Sequence, residues 1–403
     1  MKDKVIILSE YIGENHNSTA YYWAQIVKSL HMRYEVLLVA PHTPHVIEFA
    51  KKYKVSLTTI KLKNYDKNSL FSRLWGQIRQ TFSFMSVLSK EINSCQILFS
   101  GTNPIITMFA ISIFRKLKRF RWVLLVHDIF PNNLVPARIL NREDVLFRLL
   151  MSLSRVIYST PDRLICIGRD MESLLVEKIE AKSITRFIPN WASTDAIYSY
   201  PKNNNEIINS LGWEHNIVFQ FFGNMGRLQG IYNLLNAIEL TQDLNARFIF
   251  IGDGSELENT KKYIIKINEK AGYRKAHYYG QLALSDNLIG LNACDIAIVS
   301  LTNDMYGLGV PSKAYFSMAA DKPIVYVGDK NSELGLLLAE YDIGWFCEPN
   351  DPAQLAIIMD EISSEYFMNH GHRLNPRNIM KNHFSEEMSL EKIVSVIDET
   401  TQL

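Results

Sequence analysis

The chain has 403 residues, of which 47% are hydrophobic and 21% charged; this excludes a disordered protein and exceeds what one compact core holds, so two domains are expected. Lys and Arg number 43 against 42 Asp and Glu, a net charge of +1, which gives no sign of a dedicated nucleic-acid binder. No apolar run approaches the ~20 residues of a spanning helix, and MKDK leads straight into an apolar strand with no signal-peptide pattern, so a cytoplasmic protein is expected.

In the first half, Lys4–Ser9, Glu35–Ala40, Ser56–Lys61, Ile97–Ser100, Trp122–His127, Arg163–Ile167 and Arg186–Ile188 read as strands with helical patterns between most of them. Such alternation builds a parallel sheet with helices on both faces. The loop from Tyr11 to Ser18 joins the first strand to a helix; Gly13 there allows close approach of donor or acceptor, and His16 and Asn17 are candidate acceptor contacts, although a His in such a loop is often merely exposed.

Ser69 to Ile92 is amphipathic, with Leu70, Leu74, Trp75, Ile78, Phe82, Met85 and Leu88 near one face and Arg73 and Arg79 beside it. A second segment ends in five basic residues among the seven from Arg115 to Arg121. Aromatic and basic residues interleaved in this way suit an anionic membrane surface; the alternative is a pair of core-facing helices with solvated ends. His127 and Asp128 close the strand WVLLVHD, where an α/β sheet presents side chains to a ligand. Asp128 could equally cap the following turn, and His127 could satisfy a core hydrogen bond.

Apolar periodicity lapses in the polar segment after Asn190–Trp191, so residues 1–195 are assigned to an N-terminal domain and 196–384 to a C-terminal one. Residues 385–403, opening with Ser385 as an N-cap and carrying Met388, Ile393, Val394 and Ile397 at helical spacing, form a last helix that can pack back on the N-terminal domain. Cys95, Cys166, Cys294 and Cys347 lie far apart in apolar contexts and read as reduced core thiols.

The second half holds strands starting at Ile217 and at Phe248–Ile251, Ala276–Tyr279, Asp295–Ser300 and Pro323–Val327, ending near Gly344–Cys347. Three glycine-marked strand-to-helix junctions follow one another: IVFQFFGNMGRLQG, RFIFIGDGSELE and, after DIAIVSL, the loop GLGVPSK. Backbone N–H groups and positive helix ends at such junctions face one edge of the sheet and attract anions. Arg227 follows Gly223 and Gly226, and Lys313 opens the helix after Pro311 and Ser312. Either cation alone reads as a solvated charge, but cations oppose the dipole at a helix start, and two at adjacent junctions favour a bound diphosphate. No dinucleotide fingerprint, Walker A loop, metalloprotease motif or Asp-x-Asp metal clamp is present.

His127-Asp128-Ile129-Phe130-Pro131, the DRLI strand from Asp162, Ile188 to Trp191, Gly223 to Gly230 (GNMGRLQG), Ile251 to Gly254 (IGDG) and Val310 to Lys313 (VPSK) occur together. In this combination the chain resembles the GT-B-fold glycosyltransferases of family GT4, particularly a bacterial surface-polysaccharide branch related to fucosyl- and N-acetylfucosaminyl-transferases. The resemblance implies an α/β protein of two doubly wound, Rossmann-like parallel-sheet domains facing across a cleft. It further implies a retaining hexosyl- or N-acetylhexosaminyl-transferase that needs neither cofactor nor metal. The nucleotide-sugar donor, expected to be a UDP-sugar, would lie on the C-terminal domain, and a polyprenyl-diphosphate-linked saccharide on the N-terminal one. Such a protein would act in capsule, O-antigen or exopolysaccharide assembly, peripheral at the inner face of the membrane.

By the same resemblance, Arg227 and Lys313 take the leaving diphosphate. Gly223, Asn224, Gln229, Gly309 and Ser312 would line the donor, and Gly252, Asp253, Gly254, Gly280 and Gln281 would approach base and ribose. Gly13 would close on it, and His127 and Asp128 would stand at the reacting centre. The chain departs from the family at Gln229, where many relatives carry a lysine, at Asp321, where they carry glycine, and at Leu308 and Phe316, where their paired glutamates would fall. Glu333 is the substitute expected for those acids. Two other functions remain open on the sequence: a sugar-nucleotide 2-epimerase of the same fold, which needs carboxylates near the sugar, and a non-catalytic nucleotide-sugar-binding partner.

Overall fold

A computed structural model describes residues 3–13, 17–61, 70–93, 96–369 and 374–403. Two compact units emerge, one of Met1–Asn132, Asn141–Pro189 and Ser389–Leu403, the other of Asn133–Leu140 and Asn190–Met388.

The first unit runs β1 (Lys4–Leu8), α1 (Ser18–Arg33), β2 (Glu35–Pro41), α2 (Pro44–Tyr53), β3 (Ser56–Ile60), α3 (Leu70–Glu91), β4 (Ile97–Gly101), α4 (Ile105–Lys118), β5 (Arg121–Val126), α5 (Val145–Ser159), β6 (Arg163–Cys166), α6 (Arg169–Ile179) and β7 (Thr185–Phe187). Its seven strands are all parallel in the order β3-β2-β1-β4-β5-β6-β7. The central strands are apolar at nearly every position because helices cover both faces. Helix α1 starts where Asn17 Oδ1 accepts the Ala20 N–H at 2.8 Å, and α2 where Thr43 caps and Pro44 sets the first turn.

The expected apolar face of α3 divides. Phe84 and Leu88 are buried with Gln80 and Thr81, whereas Trp75 is 55% and Phe82 73% exposed. The packing of α4 makes the choice, since a buried Thr81–Thr107 hydroxyl pair at 2.9 Å fixes which side of α3 meets it.

The second unit continues with α7 (Glu206–Leu211), β8 (Ile217–Phe222), α8 (Ile231–Leu240), β9 (Ala246–Ile251), α9 (Leu257–Ala271), β10 (Ala276–Gly280), α10 (Asn287–Leu291), β11 (Ile296–Ser300), α11 (Ser312–Ala319), β12 (Ile324–Val327), α12 (Glu333–Glu340), β13 (Gly344–Cys347), α13 (Pro352–Asn369), α14 (Pro376–His383) and α15 (Glu386–Thr401). Six parallel strands are ordered β10-β9-β8-β11-β12-β13, so the direction of winding reverses between β8 and β11, where doubly wound sheets take their ligands. Phe219 stacks on Phe248 (centroids 5.3 Å) and Phe221 packs tilted against Phe250 (6.0 Å), clamping β8 to β9; each buried ring contributes roughly 2–3 kcal/mol.

Helix α15 is capped as expected, with Ser385 Oγ accepting the Met388 N–H at 3.3 Å. From Ser389 onward it belongs to the first unit, where Glu399 pairs with Arg186 (2.7 Å) and Arg163 (3.4 Å) and Asp398 accepts the Tyr34 hydroxyl. Cys166, Cys294 and Cys347 are buried free thiols; Cys95 lies outside the described residues.

Candidate functional site

At the β8–β11 reversal three loops of the second unit interlock. The Gly223 N–H donates to Ile251 O (2.9 Å), Met225 N–H to Asp253 O (2.6 Å), Glu256 N–H to Met225 O (2.9 Å) and Gly252 N–H to Gly280 O (2.9 Å), while Thr302 N–H reaches Leu228 O (2.9 Å). Gly252, at φ +132°, is required here because a Cβ would stand 2.1 Å from Gly223 O. A Cβ on Gly254 would meet the Met225 carbonyl oxygen at 2.4 Å, so the first two glycine junctions are pressed together backbone to backbone.

This interlocking alters the chemistry expected of the loops. Their N–H groups at Gly223, Met225 and Gly252 hold loop to loop, the Gly226 N–H goes to Gln229 Oε1 (3.1 Å), and the Gly254 N–H to Asp253 Oδ1 (2.7 Å). The side-chain cations and the N–H groups that open α8 and α11 are the groups left here with the chemistry to meet an anion. Gln229 braces its own turn, its Oε1 also taking Asn224 Nδ2 at 3.4 Å.

Lys313, in the first turn of α11, is the most unusual charge in this unit. Its ammonium stands 3.9 Å from the centre of the Phe221 ring, and its Cδ lies 4.0 Å from where a Cβ on Gly223 would be. The β11–α11 loop thus touches the Gly223 loop through this side chain. Burial pulls the Lys313 pKa down to about 7, with no opposing contribution from any carboxylate. The α11 dipole adds to the cost of a cation at that end. Asn190 steadies the preceding turn by donating to Val310 O at 3.2 Å, and Gly309 and Ser312 sit in it, partly buried.

Arg227 opens the short helical turn Arg227–Gln229 in the same loop. It is 68% exposed and held only loosely, its Nε 4.0 Å from Glu256 Oε1, while Tyr232 OH fixes the other Glu256 oxygen at 3.0 Å. Both expected cations therefore belong to the one cluster of loops, Lys313 within it and Arg227 at its surface. Asp253 and Gln281 are exposed, and a Cβ on Gly280 would meet open space. Leu308 is buried and Phe316 packs on the α11–α14 core, so both positions serve packing. Glu333 is buried in the first turn of α12, beside Ser332, whose Oγ lies 2.8 Å from Tyr326 OH.

In the first unit, His127 and Asp128 follow β5 beside Thr102, whose Oγ1 accepts the His127 N–H at 3.3 Å. The His127 ring lies edge-on to Trp23 (6.4 Å), and its buried Nε2 has no partner among the described residues. Burial lowers its pKa to about 4. Asp128 is pushed upward by burial, opposed by a hydrogen bond from Asn103. Two residues that sequence motifs did not mark hold this loop. Tyr158 OH contacts Phe130 N (3.1 Å) and Asp128 O (3.3 Å), and Lys178 Nζ bonds Asn132 Oδ1 (2.7 Å), Ser154 Oγ (3.0 Å) and Phe130 O (3.4 Å). Gly13 is buried in the loop after β1, Asn17 caps α1, and His16 lies outside the described residues.

Residues 216–365 match the family described as glycosyl transferases group 1. Over 399 residues the chain is 42% identical to a probable glycosyltransferase, WbjE, of Pseudomonas aeruginosa, covering 98% of this chain and 97% of that one. Among solved structures, HepE of Anabaena in complex with UDP superposes with a TM-score of 0.74 at 14% identity, covering 98% of this chain and all (100%) of HepE. Sucrose-phosphate synthase of Thermosynechococcus elongatus gives 0.75 at 14%, covering 99% of each chain.

Proposed function

The chain belongs to the group 1 glycosyltransferases, and from that premise we propose that it is a retaining enzyme that moves a sugar from a UDP-sugar to a lipid-linked saccharide in surface-polysaccharide assembly. The observation that carries the donor half is Lys313, a cation held against Phe221 with no carboxylate partner among the described residues, where two glycine junctions and the start of α11 meet. The relation to WbjE supports sugar transfer, and HepE's complex with UDP supports the choice of donor. Membership of the GT4 branch with fucosyl- and N-acetylfucosaminyl-transferases is part of the same proposal.

The chemistry follows from the charges. As the bond from the anomeric carbon to the diphosphate oxygen breaks, its electron pair goes to that oxygen and positive charge spreads over the sugar ring. Preorganised cations then stabilise the departing diphosphate with little reorganisation. Burial lowers the Lys313 pKa to about 7 in the free protein, and an arriving diphosphate favours the charged form, so donor binding near neutral pH takes up a proton. Arg227, exposed and weakly paired, closes on the outer phosphate oxygens. In front-side displacement the acceptor hydroxyl attacks the face the diphosphate leaves and passes its proton to the departing phosphate. No side-chain base is then required.

On the acceptor side His127 is neutral at pH 7, and its unpartnered Nε2 is suited to one hydrogen bond with a substrate hydroxyl. Tyr158 and Lys178 would keep that loop in place.

Incubating the purified protein with UDP-sugars, EDTA and a polyprenyl-diphosphate-linked acceptor, then reading products by mass spectrometry and anomeric coupling, tests the whole reading. Transfer with the donor's anomeric configuration is expected. Donor bound but left intact would establish the non-catalytic alternative, and a 2-epimer of the donor the isomerase.

A further inference from the structure

We infer that Glu256 is a positioning residue that draws Arg227 back from the departing diphosphate and so hastens the release of UDP after transfer. This role rests on the UDP-sugar donor proposed above. Glu256 lies just past the second glycine junction, immediately before α9, and its main chain is tied on both sides. Its N–H donates to Met225 O (2.9 Å), and its carbonyl accepts the Thr260 N–H (2.9 Å) and hydroxyl (2.8 Å). The side chain is only 16% exposed. Tyr232 OH from α8 (3.0 Å) and Asn259 Nδ2 from α9 (3.2 Å) both donate to Oε2. Oε1 is left facing Arg227 Nε at 4.0 Å, its one cationic neighbour among the described residues.

The two oxygens therefore serve different ends. Tyr232 and Asn259 need only an acceptor at Oε2, which the amide oxygen of a glutamine would supply equally. The negative charge is of use to Arg227 alone. A carboxylate beside a diphosphate site weakens anion binding, so its gain must lie in what it does to the cation. The pair is too long for a hydrogen bond, and Arg227 is 68% exposed on a long side chain, so the guanidinium exchanges readily between a fixed carboxylate and an arriving phosphate. The donor wins that exchange because phosphate oxygens take a guanidinium through two parallel hydrogen bonds. After transfer, the oxygen that carried the sugar becomes a further anionic acceptor, and UDP grips Arg227 more tightly than the donor did. Glu256 offsets this by offering the guanidinium another partner and by repelling the added charge. Release of a tightly held product is a step that limits many turnovers.

UDP is titrated calorimetrically into wild type, Glu256→Gln, Arg227→Ala and the double variant, and its dissociation is followed by stopped-flow displacement. Glu256→Gln should bind UDP about fivefold more tightly, mostly through slower dissociation. UDP should become a stronger product inhibitor by the same factor, while the donor KM moves about twofold or less. On the Arg227→Ala background the gain should shrink below about twofold. Tyr232→Phe, which takes one donor from Oε2 and leaves more of the charge to Oε1, should weaken UDP binding by about twofold. A purely structural Glu256 gives the opposite sign for Glu256→Gln, because a loosened Gly223 loop holds UDP less well. Unchanged or weaker UDP binding by a Glu256→Gln protein that melts with the wild type, or an equal gain with and without Arg227, would overturn the inference and leave the donor reading intact. Should Glu256→Gln melt early, Tyr232→Phe decides, and unchanged or tighter UDP binding by it counts against the role. A wild type that binds no UDP refutes the donor reading and this role with it.

Discussion

Replacing Lys313 by Met is expected to stabilise the free protein and to inactivate it, a combination that a lysine with a purely structural role does not give. Burial against Phe221 lowers the Lys313 pKa from 10.5 to about 7, which corresponds to roughly 5 kcal/mol acting against the charged form. Methionine keeps the aliphatic contact with Phe221 and removes the charge, so about 2–4 kcal/mol should be recovered. For a unit of this size that raises Tm by roughly 5–15 °C. Because the folded pKa lies below the unfolded one, the unfolded chain holds more protons between pH 7 and 10.5. The penalty is therefore fully present below pH 7 and fades as pH rises toward 10.5. The assay is thermal unfolding of both proteins from about pH 6 to about pH 9, with and without UDP, alongside sugar transfer. The variant should melt higher near neutrality, converge on the wild type in alkali, gain nothing from UDP, and lose turnover by ~10²–10³. A variant that melts lower than the wild type and still turns over would refute the reasoning.

Arg227→Ala should leave the unfolding free energy within about 0.5 kcal/mol of wild type in denaturant titration, since its exposed contact with Glu256 is long, yet lower turnover by roughly 10² in steady-state kinetics. Gly252→Ala must move the Gly223 carbonyl, which a Cβ would approach to 2.1 Å; on the order of 3 kcal/mol or more of stability should be lost in denaturant titration, together with UDP binding. His127 has a folded pKa of about 4 against an ordinary 6.5, so the unfolded chain protonates first on acidification. Its burial costs nothing above pH 6.5 and up to roughly 3 kcal/mol by pH 4. His127→Gln should flatten the stability profile in that window, as read by urea unfolding at successive pH values.

Much of the fold was legible because a doubly wound sheet writes itself in short apolar runs: the strands expected at Ile217, Phe248–Ile251 and Asp295–Ser300 appear as β8, β9 and β11 within two residues at each start. Arg227 and Lys313 stood out because a cation just past a glycine junction opposes a helix dipole. Their unlike settings did not, since the burial of Lys313 depends on the Phe221 ring, ninety-two positions away along the chain. The fate of the loop N–H groups was hidden for the same reason. Glycine spacing predicts open donors, but Met225 and Gly252 spend theirs on neighbouring loops brought together only in three dimensions. In α3, helical periodicity marked one apolar face that includes Trp75 and Phe82, both exposed in the fold; the side that meets α4 is set by the Thr81–Thr107 contact, which no spacing reveals. Tyr158 and Lys178 belong to no motif, and their hold on the Asp128–Asn132 loop is visible only in the coordinates.

The central claim is that the loops around Lys313 bind the diphosphate of the donor. Calorimetric titration of uridine, UMP and UDP in EDTA, into wild type and Lys313→Met, measures it directly. The account predicts affinity rising from uridine to UDP in the wild type, proton uptake on UDP binding near neutral pH, and a variant that no longer distinguishes the three. UDP binding of equal strength in both proteins, or a wild type indifferent to the added phosphates, would contradict it.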